Sequence, residues 1–179
     1  MILSREELIA EFGSVFEHSP WIAEAAFERG AFQGVGRSAD GVIRLSEREA
    51  TRIHEAMRDA FRSAPKDKRL AVLRAHPDLA GRLKVGELTE ASQAEQEGAG
   101  LDRLSEEEHA TFLDLNERYQ TRFGHPFIVA VKGLTKADIL ERFQTRIDND
   151  ADTEFDTAAR EVERIAALRL QAQVSEGAA

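Results

Sequence analysis

Apolar residues recur along most of this chain three and four positions apart, the period of an amphipathic helix rather than of a strand. Leu8, Ile9, Phe12, Val15 and Phe16 form the first stripe, and the capping-box pattern Ser4-x-x-Glu7 ahead of them predicts a helix from Ser4 to Glu17. Pro20, suited to a first turn, opens WIAEAAFERG, which Gly30 ends. Ser46-x-x-Glu49 starts a third helix, to about Arg62, with Ile53, Met57, Ala60 and Phe61 inward. KDKRLAVLRA is a fourth; Pro77 disfavours the α conformation at His76 and so stops it there. A polar segment at 90–97 is helical and breaks at Gly98-Ala99-Gly100. Ser105-x-x-Glu108 begins a helix over 105–123 with Phe112, Leu115 and Tyr119 on one side. Thr135-x-x-Asp138 begins ADILERFQTRIDND, whose stripe is Ile139, Phe143 and Ile147. The last helix runs from about Asp152 to Val174, with Phe155, Ala159, Val162, Ile165, Ala166, Leu168 and Leu170 inward and residues 170–179 fraying.

One stretch breaks the pattern. In RFGHPFIVAVKG, Gly124 permits positive φ and Pro126 forces its predecessor into extended geometry. Phe127 to Val131 is then an apolar, β-branched run too short for a helix. The predicted architecture is therefore all-α: one domain over residues 1–179, a bundle of about eight helices with a short extended segment at 125–131. A length of 179 residues suits one domain with a substantial core. Residues 30–44 carry four glycines, and GVGRSA at 34–39 fits the G-x-G-x-x-A dinucleotide pattern. No βαβ unit surrounds it, so that reading is rejected.

Composition narrows the chemistry. With 33 acidic against 24 basic side chains, the formal charge of −9 argues against nucleic acid or an anionic membrane surface as partner. An anionic small substrate would need a local basic group. The chain has no cysteine, which excludes disulfides, thiolate nucleophiles and cysteine-ligated metal centres. No apolar run nears the roughly 20 residues that span a bilayer. MILSREEL does not read as a signal peptide, and SEGAA is not a peroxisomal tail, so the cytoplasm is the expected location.

Unusual chemistry concentrates between Arg74 and Leu101. His76 is held at a helix end by Pro77, a poor place for an idle histidine; the plain alternative is a helix-end cap. Ser92, Glu95 and Gln96 put a hydroxyl, a carboxylate and an amide on one helical face, which is either a polar ligand surface or simply a solvated one. Arg146 borders an apolar stripe. It is placed for a carboxylate clamp, or equally for snorkelling or an intrahelical pair with Glu141 or Asp150. The 127–129 main chain is either a buried connection or a source of unused N–H and C=O groups for a flat, amide-rich ligand. His54 and His109 are expected to be solvated, Lys66, Lys68 and Arg69 to be a surface turn, and Trp21 to be core or pocket lining. A metal-dependent hydrolase built on His76, Asp78 and Glu95 would lack a second nearby histidine. A helical scaffold without chemistry is the other competing class.

Four strings in order, HPDLAG, SQAEQEGAGL, NERYQTRFGHPFIVAVKG and RIDNDADTEF, make the chain resemble the OHCU decarboxylases, the last enzymes between urate and (S)-allantoin; the match runs from about Trp21 to Leu170. The resemblance implies decarboxylation of 2-oxo-4-hydroxy-4-carboxy-5-ureidoimidazoline (OHCU) with no cofactor and no metal. It implies His76 and Glu95 as catalytic residues, and Pro77, Ser92, Gln96, Arg146 and the main chain at Phe127, Ile128 and Val129 as substrate-binding. It also implies a homodimer, and allows a functional association with the preceding urate-pathway enzymes. His125 stands where many family members carry an aromatic.

Overall fold

A computed structural model describes residues 3–79 and 90–174 of the chain. Ala80 and Gly81 of the HPDLAG string, and residues 175–179 of the expected frayed tail, lie outside the described residues. Eight helices are seen among those described: α1 (Arg5–Phe12), α2 (Pro20–Glu28), α3 (Glu47–Ser63), α4 (Lys66–Ala75), α5 (Glu90–Gly98), α6 (Glu106–Phe123), α7 (Lys136–Arg146) and α8 (Ala151–Gln171). The fold is all-α; the β pairing among the described residues is limited to two isolated bridges, Arg37 with Ile43 and Leu45 with Val174. No helix among the described residues is long and apolar enough to cross a membrane.

Four helices start as their sequences require. At Ser4, Ser46, Ser105 and Thr135 the hydroxyl accepts from the N3 backbone N–H while the N3 carboxylate accepts from the cap's own N–H. Two otherwise orphaned donors are satisfied at each end. α1 is shorter than expected: it ends at Phe12 with Gly13 as its cap, and Val15 and Phe16 reach the core from the turns that follow. Gly124, at φ 75°, closes α6 in the left-handed conformation and turns the chain into the 125–131 segment.

The chain forms two compact units, Met1–Val72 with Glu163–Ala179, and Leu73–Val162. In the first, Phe12, Phe16, Ile22, Leu45, Ile53, Met57 and Phe61 are buried, with Phe12 5.0 Å from Phe32 and Phe16 5.5 Å from Phe61. Two ion pairs reach α8: Arg169 to the buried Glu17 at 2.9 Å, and the fork of Arg62 to both oxygens of Glu163 at 2.7 Å each. His54 is not solvated as expected; it is partly buried, with Nε2 3.0 Å from the Glu163 carbonyl. Lys68 likewise covers an aromatic face, its Nζ 3.9 Å from the centre of the half-buried Trp21 ring. GVGRSA falls in a small hairpin closed by the Arg37–Ile43 bridge, with Arg52 holding the Ala31 and Gln33 carbonyls at 2.9 and 2.6 Å. At the far end Leu45 donates to the Gln173 carbonyl at 2.9 Å, and Leu170 is buried.

The second unit is organised around Tyr119. Its ring lies 4.7 Å from Phe123, 5.4 Å from Phe127, 5.7 Å from Phe143 and 5.6 Å from His125. Phe127 stacks on Phe143 at 3.9 Å. The same apolar cluster takes in Leu79 from the turn after His76, Ala99 and Leu101 from the break after α5, and Val129 and Val131. It therefore ties together the three segments that carry the unusual chemistry.

Candidate active site

All nine residues singled out as catalytic or substrate-binding fall in the second unit. His76 sits one residue past α4, where the proline after it ends the helix, and is buried. On α5, Ser92 is buried while Glu95 and Gln96 are half-buried, so this face is not the solvated surface its polarity suggested. The Gln96 amide donates to the Asp78 carbonyl at 3.3 Å, which brings α5 against the His76–Pro77 corner. Burial pushes the Asp78 carboxyl above its ordinary value.

Two further side chains locate that corner. Asn116, buried on α6, donates through Nδ2 to the Leu79 carbonyl at 2.8 Å. Arg74, two residues before His76, donates through Nε to the Gly124 carbonyl at 2.8 Å. The end of α4 is thereby fastened to the start of the extended segment.

Residues 125–131 are all buried and run extended without a β ladder. Side chains hold them instead. Glu161 accepts the Ala130 N–H at 2.7 Å, and Arg146 donates from Nη1 to the Ile128 carbonyl at 2.6 Å. Among the described residues no hydrogen bond engages the N–H of Phe127, Ile128 or Val129. Buried main-chain donors are nearly always paired, so three in succession without a partner among the described residues stand out as candidates for a ligand. His125 is buried too, with Nδ1 2.9 Å from the Pro126 carbonyl; burial pushes its pKa below the ordinary histidine value.

Arg146 is neither snorkelling nor paired within its helix. Its Nε and Nη2 donate to Glu154 Oε1 at 3.0 and 2.6 Å, and its Cζ lies 4.5 Å over the Phe127 ring. Glu154, fully buried in the first turn of α8, also accepts from Tyr119 Oη and from Asn149 Nδ2 at 2.8 Å. Burial and then the bond to this carboxylate push the Tyr119 phenol well above its ordinary pKa. Sequence reasoning missed Glu154, although it was visible as an acid at the head of the stripe Ala158, Val162 and Ala166. Asn116 was missed likewise, one turn after Phe112 on the buried side of α6. Among the described residues no group of three or more His, Asp and Glu is gathered to hold a metal ion.

The second unit thus holds a buried histidine at a helix end, a half-buried acid–amide face on α5 and a main-chain stretch outside any ladder, residue types suited to a small-molecule site with proton-transfer chemistry. The sequence model of the OHCU decarboxylase family matches residues 2–171, and the chain belongs to that family. It is similar to a 2-oxo-4-hydroxy-4-carboxy-5-ureidoimidazoline decarboxylase of Haloferax volcanii, 40% identical over 173 residues, 97% of this chain and 92% of that one. Its fold is similar to that of an (S)-allantoin synthase in a crystal structure, with TM-score 0.70 at 25% identity. That match covers 96% of this chain, which spans about half (51%) of the synthase chain. It is similar in fold also to an OHCU decarboxylase crystallised in the presence of (S)-allantoin, with TM-score 0.63 and 20% identity over 90% of this chain and 96% of that one.

Proposed function

We propose that this chain, acting as one functional domain, decarboxylates OHCU to (S)-allantoin in urate catabolism, without a cofactor. The observation that carries the reading is the meeting of the matching segments in one unit. The Gln96 amide lies on the Asp78 carbonyl beside His76, and Arg146 on the Ile128 carbonyl beside the unpaired N–H groups.

In OHCU the carboxylate sits on a carbon adjacent to a ring C=N. When the bond to CO2 breaks, its electron pair passes into that C=N, and the substrate itself serves as the sink that a cofactor would otherwise supply. The nitrogen of that C=N takes up a proton from the medium as the pair arrives; the hydroxyl then gives up its proton to become a carbonyl, and the carbon of the former C=N receives a proton on one ring face. His76 manages the hydroxyl and the departing carboxylate, and Glu95 orients His76 or moves protons with it. Ser92, Gln96 and the N–H groups of 127–129 read the amide edge of the ring, Pro77 fixes the histidine, and Arg146 faces the anionic edge.

The test is to generate OHCU in situ from urate with the two preceding enzymes and follow optically active allantoin by circular dichroism. A folded sample should speed its formation over the racemic spontaneous decay; unchanged rate and racemic product would overturn the assignment. We further infer a cytoplasmic homodimer that can associate with those upstream enzymes. Sedimentation velocity of the purified chain, alone and mixed with them, tests the assembly.

A further inference from the structure

The buried Arg146–Glu154 pair calls for a reason. Removing two charges from water is costly, and an apolar pair of similar volume is often as stable or more so, so such a pair is weak evidence of a stability device. Its connections suggest another role. Glu154 is fully buried and receives four hydrogen bonds, from Arg146 Nε and Nη2, Tyr119 Oη and Asn149 Nδ2, which join α6, α7, the α7–α8 connection and α8. It sits in the first turn of a 21-residue helix, where the positive helix end favours a carboxylate. Arg146 spends a third N–H on the Ile128 carbonyl. A guanidinium has five. The Tyr119 phenol oxygen lies within reach of the same guanidinium, which leaves one N–H with no acceptor among the described residues.

We infer that Glu154 is a positioning residue for catalysis. It anchors Arg146, so that the guanidinium at once holds the Ile128 carbonyl, setting the line of the 127–129 main chain, and keeps an N–H group available to the substrate. This rests on the proposed function, and it adds that the acid two elements away works only through the arginine. The ring of Phe127 beneath the guanidinium and the Phe127–Phe143 stack then transmit the same placement to the core.

The prediction is non-additivity. Glu154→Gln and Arg146→Met should each raise KM, by roughly tenfold or more from the loss of charge-assisted bonds, with a smaller change in kcat. The double variant should be no worse in kcat/KM than Arg146→Met alone, while its thermal stability recovers above that of Glu154→Gln, because no unpaired charge is left buried. A purely structural role moves stability and activity together and cannot give that split.

Hydrogen exchange supplies a readout independent of turnover: the amides of 127–129 should exchange faster in Glu154→Gln and in Arg146→Met, and no faster in the double variant than in Arg146→Met alone. Additive losses in kcat/KM, or unchanged exchange at 127–129, would overturn the inference. Should Glu154→Gln not fold, Glu154→Asp retracts the charge by one methylene, and a folded Glu154→Asp enzyme with wild-type KM would overturn it too. A wild-type protein that shows no turnover yet retains the coupled exchange pattern would sink the proposed function and leave the Glu154 link standing.

Discussion

Replacing Tyr119 by Phe removes one oxygen and one hydrogen bond from the middle of the second unit while keeping every ring contact. The phenol is fully buried and, among the described residues, its one acceptor is Glu154. A hydrogen bond to a charged group contributes about 1.5–3 kcal/mol net, against 0.5–1.5 for a neutral pair. The carboxylate left behind still receives Arg146 Nε, Arg146 Nη2 and Asn149 Nδ2, so it is not stranded, and the loss should sit near 2 kcal/mol. For a chain of this size that corresponds to roughly 4–8 °C in Tm. Urea unfolding followed by far-UV ellipticity, with Trp21 fluorescence as a reporter from the other unit, measures it; the midpoint should fall and m should not change. The pH dependence adds a second check. Because the folded phenol has a raised pKa, its contribution is complete below the ordinary value of 10.0 and declines as pH rises beyond it, when the unfolded chain ionises. The gap between wild type and Tyr119→Phe should therefore narrow above about pH 10. A loss under about 0.5 kcal/mol at pH 7, or a gap that stays constant into alkali, would mean the phenol–carboxylate bond adds nothing net.

Two other predictions test the site from different sides. Burial lowers the His125 pKa in the folded chain, the Pro126 carbonyl and Glu154 opposing this and the Arg146 and Arg74 charges assisting it. The unfolded chain therefore takes up that proton at a higher pH than the folded one, so stability declines as pH falls through about 6.5; His125→Phe should have a shallower fall in Tm between pH 7 and 5, and parallel curves would refute the assignment. His76→Ala and Glu95→Gln should each lower kcat on the order of 10²-fold with melting little changed. Ser92→Ala, losing one neutral hydrogen bond, should be the mildest, and a folded His76→Ala enzyme with wild-type turnover would remove the centre of the mechanism.

What the sequence made legible was local. Capping boxes at Ser4, Ser46, Ser105 and Thr135 declare helix starts within four residues, and all four form in full. The helix stop at His76 and the extended run after Gly124 are also local, since proline and glycine act on their own dihedrals. Periodicity misled where the stripe outlasted the helix. Val15 and Phe16 continue the α1 pattern past Gly13, but they are buried from turns. It misled again at His54, set among charged residues, because the partner that takes it out of water is a carbonyl of α8, 109 residues on.

Arg146 shows most plainly where reading by spacing stops. Helical spacing offers Glu141 and Asp150 as partners, yet the acid that binds it is Glu154, eight residues away on the next helix, across a corner whose geometry no helical period describes. The consequence reaches the candidate site, because the 125–131 segment has no ladder and depends on such side chains for its position. A β ladder along one side would have fixed that segment more simply, but it would also have consumed alternate N–H groups of it. Holding the main chain by single carbonyl and amide contacts, from Arg146 to Ile128 and from Glu161 to Ala130, leaves three donors in a row without a partner among the described residues. On the proposed function, a buried ion pair that is weak evidence of a stability device is accounted for by the main-chain donors it leaves to a ligand.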